Sequence, residues 1–176
     1  MRHFLNLPPE LLVLITEFLP IHDVLKLRLT CGYLFDQLPP PSHEQLLRAE
    51  TTEWARHQDI YACRYCLRLR PANKFADRML RRRRSRSGAD SDKRFCLECG
   101  LKPREGMARY GPGAQVAIQG QLFVICLSCR RFLPGAYDRH GHNTSLCLSC
   151  WQEHCLRRHM PTPKYSALDE SHLRRV

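Results

Sequence analysis

Residues 7–34 read LPPELLVLITEFLPIHDVLKLRLTCGYL, an apolar stretch at the head of a chain that is otherwise basic and rich in cysteine. Leu11, Leu12, Ile15, Phe18 and Leu19 recur at helical spacing and so fall on one face of a helix. Pro8 and Pro9 suit its first turn, where a missing N–H costs nothing, and Glu10 complements the dipole. Pro20 closes it. Val24, Leu25, Leu27 and Leu29 populate a second short helix after Asp23. Tyr33, Leu34 and Leu38 populate a third, with Thr30 as its N-cap. Three short helices over residues 4–38 cannot bury that much leucine among themselves, which implies a partner surface.

The chain has 176 residues, 43% of them hydrophobic, enough for one ordinary domain or two small ones. Its formal charge of +11 is unevenly placed: residues 1–50 hold four Lys/Arg against six Asp/Glu, and residues 51–176 hold 24 against 11. Pro8, Pro9, Glu10 and Glu17 interrupt any secretory h-region, which predicts residence in the cytosol or nucleus. Residues 110–129 carry no charge, but their glycines, glutamines and Pro112 make a poor membrane span, so no transmembrane segment is expected. Ten cysteines in a reducing compartment point to metal rather than to disulfides.

Pro39, Pro40 and Pro41 stop helix and mark a boundary. Ser42 with Gln45 makes a capping-box signature. It predicts a connecting helix over 42–61 that carries Leu47, Trp54 and Tyr61 at seven-residue intervals. Residues 81–94, RRRRSRSGADSDKR, are charged and nearly devoid of apolar side chains, so a disordered, solvated loop is expected there. Val116–Ile118 and Leu122–Ile125 flank Gln119-Gly120-Gln121 as a hairpin signal. Residues 160–176 read as a loose tail.

Four CxxC pairs carry the chemistry: Cys63/Cys66, Cys96/Cys99, Cys126/Cys129 and Cys147/Cys150, separated by 29, 26 and 17 residues. Eight thiolates make two tetrahedral sites. Zinc favours four-coordinate sulfur, and two residues between ligands let one tight turn place both sulfurs on one ion. The pairs can be coupled in three ways. Sequential coupling closes the shorter loops and is favoured on that ground, while an interleaved arrangement stays open. Cys155, His140, His142, His154 and His159 are further potential ligands near the second site, and Cys31 reads as a core thiol. Four-Cys sites leave no open position for water, and no H-E-x-x-H, H-x-E or G-x-S-x-G element is present, so two structural zinc ions and no catalysis are expected.

With these residues in view, LPPELLVLITEFLPIHDVLKLRLTCGYLFDQL resembles the F-box, in Leu7-Pro8, Glu10-Leu11, Ile15, Leu19, Asp23-Val24-Leu25, Leu27-Arg28-Leu29 and Thr30-Cys31. The resemblance implies a three-helix module over 4–38 that docks on the Skp-type adaptor of a cullin-RING (SCF) ubiquitin ligase. Leu7, Pro8, Leu11, Leu12, Ile15, Leu19, Val24, Leu25, Leu27 and Leu29 would be the adaptor-binding residues. CRYCLRLRPANKFADRM, KRFCLECG and RYGPG, together with the last two CxxC pairs, are similar to a group of small filamentous-fungal F-box proteins.

The expected fold is thus a mostly α three-helix F-box followed by a small α+β, zinc-stabilised Cys-rich module with zinc-ribbon-like hairpins over 63–159. The expected function is a non-catalytic substrate receptor, with a protein target held by the basic module. The competing reading is a nucleic-acid-binding zinc protein whose N-terminal helices are a structural cap. It rests on Arg81, Arg82, Arg83, Arg84 and Arg86, which would equally suit nuclear import.

Overall fold

The computed structural model describes residues 4–102 and 108–158. The chain separates into two compact units, residues 1–106 and 107–176. The division falls inside the stretch expected as one Cys-rich module, so each unit holds two of the four CxxC pairs. The tail over 160–176 lies outside the described residues.

The first unit opens with helices α1 (Pro9–Glu17), α2 (Ile21–Arg28) and α3 (Gly32–Gln37). Pro8 and Pro20, both in extended conformation, precede α1 and α2. Thr30 does not cap α3; its hydroxyl donates to the Leu27 carbonyl at the end of α2, and Cys31 precedes α3. Leu12, Leu34 and Leu38 are buried together, with Phe4, Leu7, Leu27 and Cys31 packed against them. That small cluster is the core of the three-helix module, and it includes the thiol of Cys31.

The single helix expected over 42–61 is two helices and a strand. Helix α4 (His43–Glu50) starts on the Ser42/Gln45 capping box. It stops at Thr51 and Thr52, whose hydroxyls donate to the Arg48 and Ala49 carbonyls. Thr52 then accepts from the Ala55 amide and starts α5 (Glu53–His57). Two adjacent threonines offer the backbone local hydrogen bonds that compete with helix continuation. Strands β1 (Ile60–Cys63) and β2 (Arg68–Pro71) form an antiparallel hairpin, and α6 (Leu97–Leu101) follows later.

Residues 81–94 are not a disordered loop. They form 3-10 turns at Arg82–Arg84 and Ser91–Lys93. Arg94 is fully buried and pairs with Glu50, also fully buried, whose other oxygen accepts from the Ala62 amide at 2.7 Å. Arg86 donates to the carbonyls of Glu50 and Ile60 at 2.7 Å each, and its guanidinium lies 3.9 Å from the Tyr61 ring centroid. Composition predicts solvation here; the two arginines instead tie this segment to α4 and β1.

The second unit is an antiparallel sheet in the order β3 (Gln115–Ile118), β4 (Gln121–Ile125), β5 (Phe132–Tyr137), β6 (Asn143–Cys147), with α7 (Leu148–Arg157) following. The first two strands meet at Gln119 and Gly120, both with positive φ as a two-residue hairpin turn requires. At Gly135 a Cβ would stand 2.7 Å from the Leu122 side chain and 2.9 Å from that of Val124, so glycine lets β5 lie close over β4. The core consists of Leu122, Val124, Cys126 and Cys147, joined by Cys129, Leu133, Tyr137, Leu146 and Cys150. Four of those nine residues are the CxxC cysteines of this unit. Among the described residues no helix is long and apolar enough to cross a membrane.

Candidate metal centres and docking face

The eight CxxC cysteines form two groups, Cys63, Cys66, Cys96 and Cys99 in the first unit and Cys126, Cys129, Cys147 and Cys150 in the second. Within each group the sulfurs all lie within 4.8 Å of one another. The grouping is the sequential one.

Both sites are built in the same way. The first pair of each sits on a hairpin turn, Cys63–Cys66 between β1 and β2 and Cys126–Cys129 between β4 and β5. The residue after the second cysteine takes a left-handed conformation: Leu67 has φ 50° and Arg130 has φ 60°. Its amide donates to the carbonyl of the first cysteine, Leu67 to Cys63 at 3.1 Å and Arg130 to Cys126 at 2.9 Å. The second pair of each site lies at a helix start, with Cys96 preceding α6 and Cys147 preceding α7 in nearly identical backbone geometry. The Arg64 amide donates to the Arg94 carbonyl at 3.0 Å and the Cys96 amide to the Cys63 sulfur at 3.3 Å, which draws the two halves of the first site together. In the second, the Leu127 amide donates to the Ser145 carbonyl at 3.0 Å and does the same.

The sulfur geometry fits a tetrahedral ion. Zinc–sulfur bonds of about 2.3 Å place tetrahedral sulfurs about 3.8 Å apart. The Cys129 and Cys147 sulfurs are 3.8 Å apart, and all ten cysteines are free of disulfides. Without an ion, sulfurs this close do not all ionise. The Cys96 thiol beside Cys63 draws the latter down to about 4, while hydrogen bonding to Cys63 and burial push Cys96 upward. Burial and the Cys63 thiolate push Cys99 up to about 11. In the second site burial opposes ionisation of Cys126, but backbone amides of Cys147, Cys129 and Ser128 bring it down to about 6. Burial pushes Cys147 up to about 12. A divalent cation would replace those protons and be held by four sulfurs, a closed, structural set of soft ligands.

The additional ligands considered from sequence lie outside both groups. Cys155 is buried in α7. His154 stacks on Trp151 with ring centroids 5.6 Å apart, and His140 and His142 sit at the β5–β6 turn, where their amides donate to the Asp138 carboxylate at 2.8 Å. His159 lies outside the described residues.

The N-terminal helices present a second candidate site. Leu11 is 44% exposed, Leu14 48% and Phe18 81%, and their i, i+3, i+7 spacing aligns them along one side of α1. Leu5, Leu19, Leu29, Tyr33 and Phe35 are exposed as well. Of the residues expected to bind an adaptor, Leu11, Leu19 and Leu29 are exposed, as is Pro8, whereas Leu7, Ile15, Val24, Leu25 and Leu27 are partly covered. Leu12 is a correction. It is 1% exposed and belongs to the internal core. Leu19, Val24 and Leu25 line a cavity of about 480 Å³ shared with α4. Leu14 is exposed without having been among the expected residues, because residues 11–15 are apolar without a break and the pattern cannot say which side faces inward.

The arginine run is largely engaged within its own unit. Arg86 caps carbonyls, as above, and Arg84 reaches the Met79 sulfur at 2.9 Å. Arg81 pairs with Asp77 at 3.5 Å and Arg83 with Asp90 at 2.7 Å, both with exposed side chains; Arg82 is exposed too. This pattern does not favour a polyanion surface.

Residues 4–32 match the family model of the F-box domain. No curated protein and no solved structure matches the chain.

Proposed function

We propose, from the F-box at residues 4–32 as the premise, that this chain is a substrate-receptor subunit of an SCF ubiquitin ligase. F-box domains generally bind Skp-type adaptors of cullin complexes and serve there as receptors. In this reading α1–α3 dock on the adaptor, and the metal-bearing parts of the chain hold a protein target while other subunits transfer ubiquitin. The chain supplies binding and no covalent step of its own. Two zinc ions are the structural cofactors, and the chain works in the cytosol or nucleus.

The observation that carries the reading is the stripe of Leu11, Leu14 and Phe18. A nine-residue helix whose opposite face already fills a core has no intramolecular use for three more exposed apolar side chains. Laid against adaptor helices, the stripe becomes a helix-in-groove interface.

The test is co-purification of the full-length chain with a Skp-type adaptor, wild type against the Leu11→Asp, Leu14→Asp double variant. Both positions are exposed, so metal content and helicity should be unchanged. A stoichiometric wild-type complex that the double variant fails to form is the expected result. Binding retained by the variant would remove the F-box helices from the interface.

A further inference from the structure

A groove of about 690 Å³ runs between the F-box helix α2 and the first metal-bearing hairpin, inside the first unit. Leu29, Phe35, Trp54, Ile60, Leu67 and Leu69 supply its apolar lining. That volume lies in the range of sites that hold small ligands or a few side chains of a peptide. The polar lining consists of Lys26, Arg28, Arg68 and His22 together with Cys66 of the first cysteine group, and none of its described lining residues is a carboxylate.

The cations are placed rather than merely present. The Arg28 guanidinium lies 4.1 Å from the Phe35 ring centroid, and its Nε donates to the Leu38 carbonyl at 3.1 Å, which fixes its direction. Lys26 lies 6.0 Å from the Trp54 ring centroid and shares an exposed, solvent-screened ion pair with Asp23 at 3.2 Å. Among the described residues, neither Arg28 nor Arg68 has a carboxylate within ion-pair distance. An apolar lining bordered by two arginines with no carboxylate partner and by one surface-paired lysine is complementary to a segment that combines apolar and acidic side chains.

We propose that this groove binds an acidic linear segment of a protein, with one or two apolar side chains entering the cavity and flanking Asp/Glu carboxylates pairing with Arg68, Arg28 and Lys26. That the segment belongs to a ubiquitination target rests on the receptor reading above; the binding itself does not. A nucleic acid suits the groove less well. The Trp54 ring is already stacked by His22, with centroids 5.1 Å apart and an interplanar angle of 21°, so that face is closed to a base.

The test uses the full-length, zinc-loaded chain free of adaptor, because Leu25 and Leu29 line the groove and are also expected to bind the adaptor, and a random dodecapeptide display library. The expected selection enriches peptides that join an aromatic or branched aliphatic residue to at least two Asp/Glu. Synthetic forms should lose affinity with rising salt and should bind tenfold or more weakly to Arg68→Glu and to Trp54→Ala. Arg68 is exposed, so its variant keeps the test sound even where Trp54→Ala loosens the fold, with metal content as the control. No enrichment, enrichment without acidic residues, or indifference to Arg68→Glu would overturn the proposal. So would a fluorescent 20-residue oligothymidine that binds in an Arg68-dependent way where peptides do not. Adaptor binding is measured separately. Its failure alongside Arg68-dependent peptide capture would overturn the receptor reading and leave the groove standing, and adaptor binding without peptide capture by the free chain would overturn the groove alone.

Discussion

Replacing Glu50 by leucine should destabilise the first unit more than the loss of any surface charge. Glu50 and Arg94 are both fully buried and paired, and the second Glu50 oxygen holds the Ala62 amide at 2.7 Å. Removing the carboxylate strands the guanidinium in a dry interior, for which a cost of about 3–5 kcal/mol is expected. The unsatisfied Ala62 amide adds about 1–3 kcal/mol. Glu50→Leu combined with Arg94→Met should regain most of the first part and none of the second, because an apolar pair leaves no buried charge behind. A small unit has little reserve against such a change. Urea unfolding followed by circular dichroism, with a chromogenic chelator reporting metal release, separates the two units. In Glu50→Leu one of the two ions should be released at markedly lower urea, since Arg94 also accepts from the Arg64 amide of the first metal turn. A single variant within about 0.5 kcal/mol of wild type, the range of an ordinary surface substitution, or a double variant no more stable than the single, would refute the reasoning.

Metal loading at pH 7 should expel protons from Cys99 and Cys147, which hold theirs up to about 11 and about 12 in the absence of an ion, and from Cys96, pushed upward too. Calorimetry in buffers of different ionisation heat should therefore show a buffer-dependent enthalpy, and affinity should rise with pH across neutrality; a buffer-independent enthalpy would contradict this. Cys150→Ser should reduce zinc content from two ions to one, whereas Cys155→Ser should leave both, as read by native mass spectrometry; an ion lost from Cys155→Ser would place that thiol in the second site.

The two cysteine groups were largely legible in the sequence because their signal is local: two residues between cysteines is a property of one turn. Loop length favoured their sequential coupling but left the interleaved one open until the sulfurs were seen to converge. The F-box helices were legible from Pro8, Pro20 and the leucine spacing, but the inward and outward sides of α1 were not, since Leu12 and Leu14 are indistinguishable in an unbroken apolar run. The break at Thr51-Thr52 was readable in principle: a hydroxyl residue followed by Glu53 is a helix-start signature, but the seven-residue recurrence of Leu47, Trp54 and Tyr61 hid it. The roles of Arg86 and Arg94 left no local trace. Their partners, Glu50 and Ile60, lie 26 to 44 residues away, so composition could only register charge.

The paired left-handed residues, Leu67 and Arg130, would give bound ions a role beyond joining two ends of chain. A bulky residue in that conformation costs on the order of 1–3 kcal/mol unless its surroundings insist on it. Here the amide of each residue is held by the carbonyl of the first cysteine of its pair. An ion bound by the four convergent sulfurs would fix that one backbone state of its turn, and with it the direction in which Leu67 and Arg130 leave the hairpin. The surface next to each centre would in that sense be written by the metal as much as by the side chains that compose it.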